Sequence, residues 1–489
     1  MAIVTRRSTN PLEIFEVVSN VGRFVQLWRC PSWGSRDPWE EPKFYPREIL
    51  SYTLVSKTWR AALLPVCWEF YDGKAMYGVP HQVISHYSHY FRTMTNCLHR
   101  GPFNSKHLRK LEIQYNYVYC RIYSKKIIED LQLSISELSW IAGANGTPSN
   151  LDLSNDGEVI LMKLSLIVTV VKDFTLKNWL IYDVPELLRF LARCTRLSKI
   201  SLHNIYGIKE FPYSTSTMES MSIPQPYILL PTVTTLHLDF TPESSKAALE
   251  MMTCCPNLTH LEIVGSWVSS ECTYTSTPIY RYCPNLRSIS INIAGRSQEG
   301  GRSKLRKNEL ANLVVNLVGM HGTGKLNTFK ATLFELDEAV AEALVKHTKD
   351  TLEIFEVYLD GFYCIQKDDQ QESFDNIHHI LKNCCNLKIF SIQYDCDYYS
   401  TDYLGGSWAC LDTLEELKIH GGWYGESSKQ FEDVEVSSND GCTWIWRAGG
   451  GVSVSPGMLE WILVVVKSMP RLKRLSINGS RIYKIKKVD

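Results

Sequence analysis

The sequence predicts an α/β fold: a solenoid of stacked helix–strand units, horseshoe-shaped, with parallel strands on its concave face and helices on its convex face, preceded by a small all-α module. Three observations predict it. The leucine-rich pattern C-x-x-L-x-x-[LIF]-x-[IL] recurs as Cys194-Leu197-Ile200-Leu202, Cys255-Leu258-Leu261-Ile263, Cys283-Leu286-Ile289-Ile291 and Cys384-Leu387-Phe390-Ile392. An apolar helical segment runs into the pattern through Cys or Met and then Pro, Arg or Asn, as in residues 247–257, 374–386 and 458–471. Residues 10–70 have a different texture, helical without the repeat. A repeated unit of this kind makes an elongated binding surface, which points away from an active-site pocket.

Composition sets the outer bounds. The chain has 489 residues, 44% hydrophobic and 21% charged, enough to bury a large core and too apolar for simple disorder; length alone suggests about three domains. Lys+Arg and Asp+Glu stand at 52 each, leaving no overall field to draw in nucleic acid or an anionic membrane. Residues 1–7 open without an apolar stretch of signal-peptide length, and the longest apolar runs, such as residues 461–466, fall short of the ~20 residues that span a bilayer. These features predict an intracellular chain, cytoplasmic and/or nuclear, with its 15 cysteines reduced. Cys254-Cys255 and Cys384-Cys385 are adjacent pairs poorly placed to share a tetrahedral metal, so no metal and no cofactor are expected. The motif cysteines are expected to be small, buried packing residues.

Taken in order, residues 1–70 form the helical module. Asn10 reads as an N-cap, Pro11 as the first helical residue, and residues 12–18 as an amphipathic turn. A Trp/Pro/Gly-rich stretch at about 28–43 looks inserted. Ile49, Leu50, Tyr52, Leu54, Val55, Trp59, Ala62 and Leu63 then follow helical spacing to Trp68. Residues 71–107 are expected to be a helical connector.

Repeats are expected over 108–489. In each, the first and fourth pattern positions close a helix-to-strand turn, and the strand residues that follow alternate between core and surface. Further units start at Leu108, Val171, Val233, Leu352, Leu414 and Leu472, with weaker candidates at Pro148 and Leu326, for ten to twelve in all. Close starts lie roughly 25 to 28 residues apart. Wider gaps predict loops at about 203–230, 293–306 and 361–373, and the largest at about 421–457. That last one reads as a hairpin, Val434–Val436 and Thr443–Arg447 around an Asp440-Gly441 turn, with Trp444 and Trp446 either anchoring a partner or packing back on the repeats. Residues 481–487 are expected to be a solvated end beyond the last strand.

Motifs for chemistry fail on inspection. Residues 319–325 match most of a phosphate-binding loop, but Leu326 stands where Ser or Thr would hold magnesium. The order there is also inverted, with the expected helix before the loop and the strand after it. His378-His379 are adjacent on an expected helix and point about 100° apart, so they cannot chelate together.

Pro11-Leu-Glu-Ile-Phe15, with Leu54-Val-Ser-Lys-Thr-Trp-Arg60 and Leu64-Pro-Val-Cys-Trp68, resembles an F-box, a short helical module with the pattern L-P-x-E-[IL], L-V-[SC]-[KR]-x-W and a closing L-W. The likeness covers about 60 residues and departs from the pattern at Asn10, where a leucine is usual, and at the insertion. With the cysteine-bearing repeats, the whole chain resembles the F-box and leucine-rich-repeat proteins, substrate-receptor subunits of Skp–cullin–F-box ubiquitin ligases. The resemblance implies adaptor contact or interface support at Pro11, Leu12, Ile14, Phe15, Leu54, Val55, Lys57 and Trp59, with the repeats holding a target protein. It implies no enzyme activity of the chain itself, and neither nucleic acid nor membrane as partner. Read as residues alone, Leu54, Val55 and Trp59 could equally be the module's own core, and the chain a repeat scaffold with no ligase.

Overall fold

The computed structural model describes residues 14–24, 28–29, 43–44, 51–67, 69–71, 109–114, 135–141, 170–177, 184–205, 228–240, 251–265, 283–292, 314–315, 317–318, 325–333, 335–359, 367–394, 407–421, 434–437, 442–446, 468–477 and 480–486. The chain is α/β and divides into two compact units, Met1–Ile208 and Lys209–Asp489.

The first unit opens with two helices, α1 (Phe15–Phe24) and α2 (Lys57–Cys67). Val18 of α1 and Ala62, Leu63 and Val66 of α2 form a buried cluster, and Trp59 packs against it. Positions 59, 62, 63 and 66 share one helical face, so the 3.6-residue period delivers α2 to its partner. Strands β1 (Trp28–Arg29) and β2 (Lys43–Phe44) lie between these helices and pair antiparallel, Trp28 opposite Phe44. The expected all-α module thus carries a two-stranded ribbon: the insertion at 28–43 is zipped together at its two ends.

The helix expected over residues 49–68 is broken. A helical turn ends at Tyr52, a turn runs through Val55, and Ser56 begins α2 afresh. Ser56 Oγ accepts the Trp59 N–H at 3.1 Å while its carbonyl accepts the Arg60 N–H at 2.9 Å, the geometry of an N-cap. Apolar spacing continues across this break, which is why periodicity alone reads one helix.

Five strands of the first unit lie side by side in chain order, all parallel: β3 (Phe70–Tyr71), β4 (Lys110–Gln114), β5 (Glu137–Ile141), β6 (Asp173–Lys177) and β7 (Lys199–Ile205). Leu111, Leu138, Phe174 and Ile200 stand in register. Strands β3 and β5 were not expected. Ile135-Leu138-Trp140 keeps the spacing but puts a tryptophan where the pattern asks for Ile or Leu. Helix α3 (Val184–Arg193) leads into β7, and its Phe190 ring meets Phe174 at 5.3 Å. The Pro148 candidate and nearly all of the 71–107 connector lie outside the described residues.

The second unit runs eight parallel strands in sequence: β8 (Thr235–Phe240), β9 (His260–Gly265), β10 (Ser288–Asn292), β11 (Thr328–Leu333), β12 (Ile354–Leu359), β13 (Ile389–Tyr394), β14 (Glu416–Gly421) and β17 (Arg474–Ile477). Their register aligns Leu236, Leu261, Ile289, Phe329, Phe355, Phe390, Leu417 and Leu475, the fourth position of each sequence unit, including the weak candidate at Leu326. All eight are buried to 2% exposure or less. Strand residues alternate core and surface, with the pattern unbroken through β11 and β12. Phe329, Phe355 and Phe390 stack, with centroids 5.9 and 5.8 Å apart and planes within 19° and 10°.

The turns entering β4 to β7, β9 to β14 and β17 are each tied to the preceding strand's entry by one carbonyl that accepts two successive N–H groups. Thr259 O serves Arg287 and Ser288, Glu353 O serves Lys388 and Ile389, and Glu415 O serves Lys473 and Arg474; in the first unit Arg109 O does the same for Ser136 and Glu137. Stacking therefore satisfies backbone groups that a lone helix–strand unit would leave open.

Helix α4 (Glu338–Thr348) is capped by Asp337, whose carboxylate accepts the Ala339 N–H at 2.8 Å. Helix α5 (Lys367–Asn383) begins at Lys367, shortening the loop expected at 361–373. Its buried Ser373 and Asn376 hold Leu336 from both sides. The Leu336 N–H donates to Ser373 Oγ at 3.2 Å, and Asn376 Nδ2 donates to the Leu336 carbonyl at 2.8 Å.

The expected hairpin in the largest insertion forms, with β15 (Val434–Ser437) antiparallel to β16 (Cys442–Trp446). The basic tail is not a free end. Residues Ser480–Lys486 make β18, antiparallel to β17 on one side and to β16 on the other. β18 is therefore an interior strand of the sheet, and the hairpin strand β15 lies outside it, next to β16.

Candidate protein-docking surface

Seven large apolar side chains are exposed among the described residues, and six belong to the N-terminal module: Ile14, Phe15, Val21, Tyr52, Leu54 and Val55; the seventh is Leu229. Single exposed apolar residues are ordinary on any surface, but six within one small module are not. The structure separates exposed from packed residues among those positions. Leu54 and Val55 are 82% and 63% exposed, whereas Trp59 packs on the Val18–Leu63 core and meets Tyr52 edge-on at 6.2 Å and 71°.

The break at Ser56 is the cause. Leu54 and Val55 sit in the turn ahead of the cap, with their N–H groups donating to the Ser51 and Tyr52 carbonyls at 3.1 Å, so neither is on the face that α2 turns to α1. Ile14, at the start of α1, and Phe15 are 37% and 44% exposed, and Lys57 is exposed at the first turn of α2. Pro11 and Leu12 lie outside the described residues. Val21 and Tyr52 were missed as exposed apolar positions, since helical spacing places Tyr52 on the same stripe as the core.

On the non-core side of the second unit's strands, one register row runs from His237 through Glu262, Lys330, Glu356 and Lys418 to Ser476. His237 Nδ1 lies 2.8 Å from Glu262 and Lys330 pairs with Glu356 at 2.6 Å across strands, while Lys418 pairs with Glu416 of its own strand at 2.8 Å. Partial burial and the neighbouring Lys418 hold the His420 imidazole below its ordinary pKa. Such a face is polar and balanced in sign.

The motif cysteines are packing residues, as their spacing suggested. Cys283 Sγ donates to the Met252 carbonyl at 3.4 Å, and Cys194 Sγ to the Phe190 carbonyl at 3.5 Å. Burial pushes the Cys194, Cys254, Cys283, Cys384 and Cys410 thiols up to about 12. Thiols so protonated are poor nucleophiles. Trp444 and Trp446 pair with Val436 and Val434 in the hairpin, and their side chains lie outside the description. Lys325, last residue of the phosphate-loop look-alike, donates to Asn285 Oδ1 at 2.9 Å and is followed by strand β11, the inverse of the order phosphate binding needs.

No protein-family model matches the chain. Among the described residues, no helix is long and apolar enough to cross a membrane.

Proposed function

We propose that this chain is a substrate receptor of a cullin–RING ubiquitin ligase, its N-terminal module acting as an F-box that docks to a Skp-family adaptor and its parallel strands forming a leucine-rich-repeat wall that holds a target protein. The observation that carries this reading is the exposure of Leu54 and Val55 in the turn before α2, at the positions the F-box resemblance assigns to adaptor contact. Fully burying a side chain of this kind contributes about 1.5–3 kcal/mol, so two together can supply a hundredfold in affinity.

In this mechanism the chain contributes no nucleophile, acid or base. It raises the effective concentration of target lysines near an activated ubiquitin carried by partner subunits, and the rate gain is one of proximity. The balanced row from His237 to Ser476 suits a polar protein surface and gives specificity through charge order more than through net attraction.

The test is co-purification with a Skp-family adaptor, comparing the native chain with Leu54→Asp/Val55→Asp and with Pro11→Ala/Leu12→Ala/Val55→Ala. Capture by the native chain and loss in both variants supports the reading; equal capture by all three overturns it. A second reading, a repeat scaffold with no ligase, is favoured by the β1–β2 ribbon, part of an insertion in the sequence between α1 and α2 that departs from the F-box pattern.

A further inference from the structure

The turns entering β10 to β14 and β17 border a groove of about 560 Å³, distinct from both surfaces described above. Its lining is strongly charged, and the charges are unevenly spent. Glu353 is neutralised by Lys388 at 2.9 Å, and Glu415 by Lys473 at 2.6 Å, a contact that also holds the Glu415 carboxyl below its ordinary pKa. The lining holds four cations, Arg287, Lys325, Lys388 and Arg471, against the three carboxylates Asp350, Glu353 and Glu415, and Arg471 acts on Glu415 at the end away from Arg287 and Lys325.

Two of these cations stand together. Arg287 precedes the first residue of β10, and Lys325 lies in the turn entering β11, the strand that pairs with it; both are exposed. Asn285 Oδ1 accepts the Lys325 ammonium at 2.9 Å, drawing it toward the segment that carries Arg287, whose guanidinium makes no ion pair among the described residues. One end of the groove is therefore a cationic corner among the described residues.

The groove crosses six adjacent strands. Parallel strands lie about 4.8 Å apart, so the crossing is about 24 Å, the reach of about seven residues of extended peptide. We propose that this groove binds an extended acidic polypeptide segment running across the strand ends, with a carboxylate or phosphoryl group seated on Arg287 and Lys325. Guanidinium and ammonium donors side by side suit such an anion, and neutralised pairs further along leave the middle of the groove able to accept polar side chains. The inference does not depend on adaptor docking, since it uses only residues of the second unit.

The experiment is fluorescence polarisation on the full chain with labelled Ser/Gly peptides of about seven residues. One carries two glutamates at one end, one two phosphoserines there, and one two lysines. The expected result is that an anionic peptide binds and the lysine peptide does not. Arg287→Ala and Lys325→Ala should each weaken binding at least fivefold, while Lys382→Ala on α5 leaves it unchanged. Preference for the glutamate or the phosphoserine peptide distinguishes the two sources of the anion. Because lost folding would mimic lost binding, Arg287→Lys is the second variant, and it should retain most of the affinity. Equal binding of the lysine peptide, indifference to both alanine variants, or no binding of either anionic peptide at millimolar concentration would overturn the proposal.

Discussion

The Trp59 amide donates to Ser56 Oγ at 3.1 Å, and this one contact divides the N-terminal module into a buried helix and an exposed apolar turn. Replacing Ser56 with Ala leaves the first-turn N–H of α2 without its acceptor and should cost about 1 kcal/mol, measured by denaturant unfolding of the native and variant chains. Ser56→Asp should retain the cap. Equal losses in both variants would mean that the side-chain contact is not what starts α2.

Leu54 and Leu63 are nine positions apart in sequence and opposite in environment, 82% and 1% exposed. Leu54→Asp should change stability by no more than about 0.5 kcal/mol, as surface substitutions do. Leu63→Ala should cost about 2–5 kcal/mol by opening a cavity against Val18 and Val66. Thermal unfolding of the two variants separates an exposed residue from a core residue, and a large loss in Leu54→Asp would refute the exposed turn.

Phe355 lies between Phe329 and Phe390 in a continuous stack. Phe355→Ala removes both ring contacts and leaves a buried void between consecutive units, so the expected cost is about 3–5 kcal/mol. Phe355→Leu should recover much of it. Hydrogen exchange should show the loosening first in β11 to β13, because stacked units depend on their neighbours.

Buried thiols make stability fall in alkali. Burial raises Cys194, Cys254, Cys283, Cys384 and Cys410 from 9.0 to about 12, so the folded chain holds protons that the unfolded chain releases. Their contribution is fully present below about pH 9 and is lost as pH rises toward 12, at about 1.4 kcal/mol per pH unit for each thiol. Urea unfolding between about pH 8.5 and 10.5 should slope downward, and Cys283→Ala should make the slope shallower by nearly one proton. An unchanged slope in that variant would assign the alkaline loss to other groups.

The in-register row from Leu236 to Leu475 was legible in the residues, since a triplet at fixed spacing after a Cys/Met–Pro/Asn turn specifies both the turn and the alternating strand. Leu326 was legible only weakly, because Ala331 ends its triplet with little apolar weight, and Ile135 escaped because Trp140 does. Strand β18 was hidden by its lysines and arginines: basic residues in a short terminal segment read as a solvated tail, and only pairing with β17 and β16 shows it to be a strand.

The residue order was enough to place successive parallel strands and the apolar positions that enter the core, because those are consequences of short-range spacing. Exposure of Leu54 and Val55, and the placing of Arg287 and Lys325 on adjacent turns lining one groove, came from the assembled chain. Burial and charge pairing depend on which segments become neighbours, and residues 38 positions apart carry no local pattern that announces it.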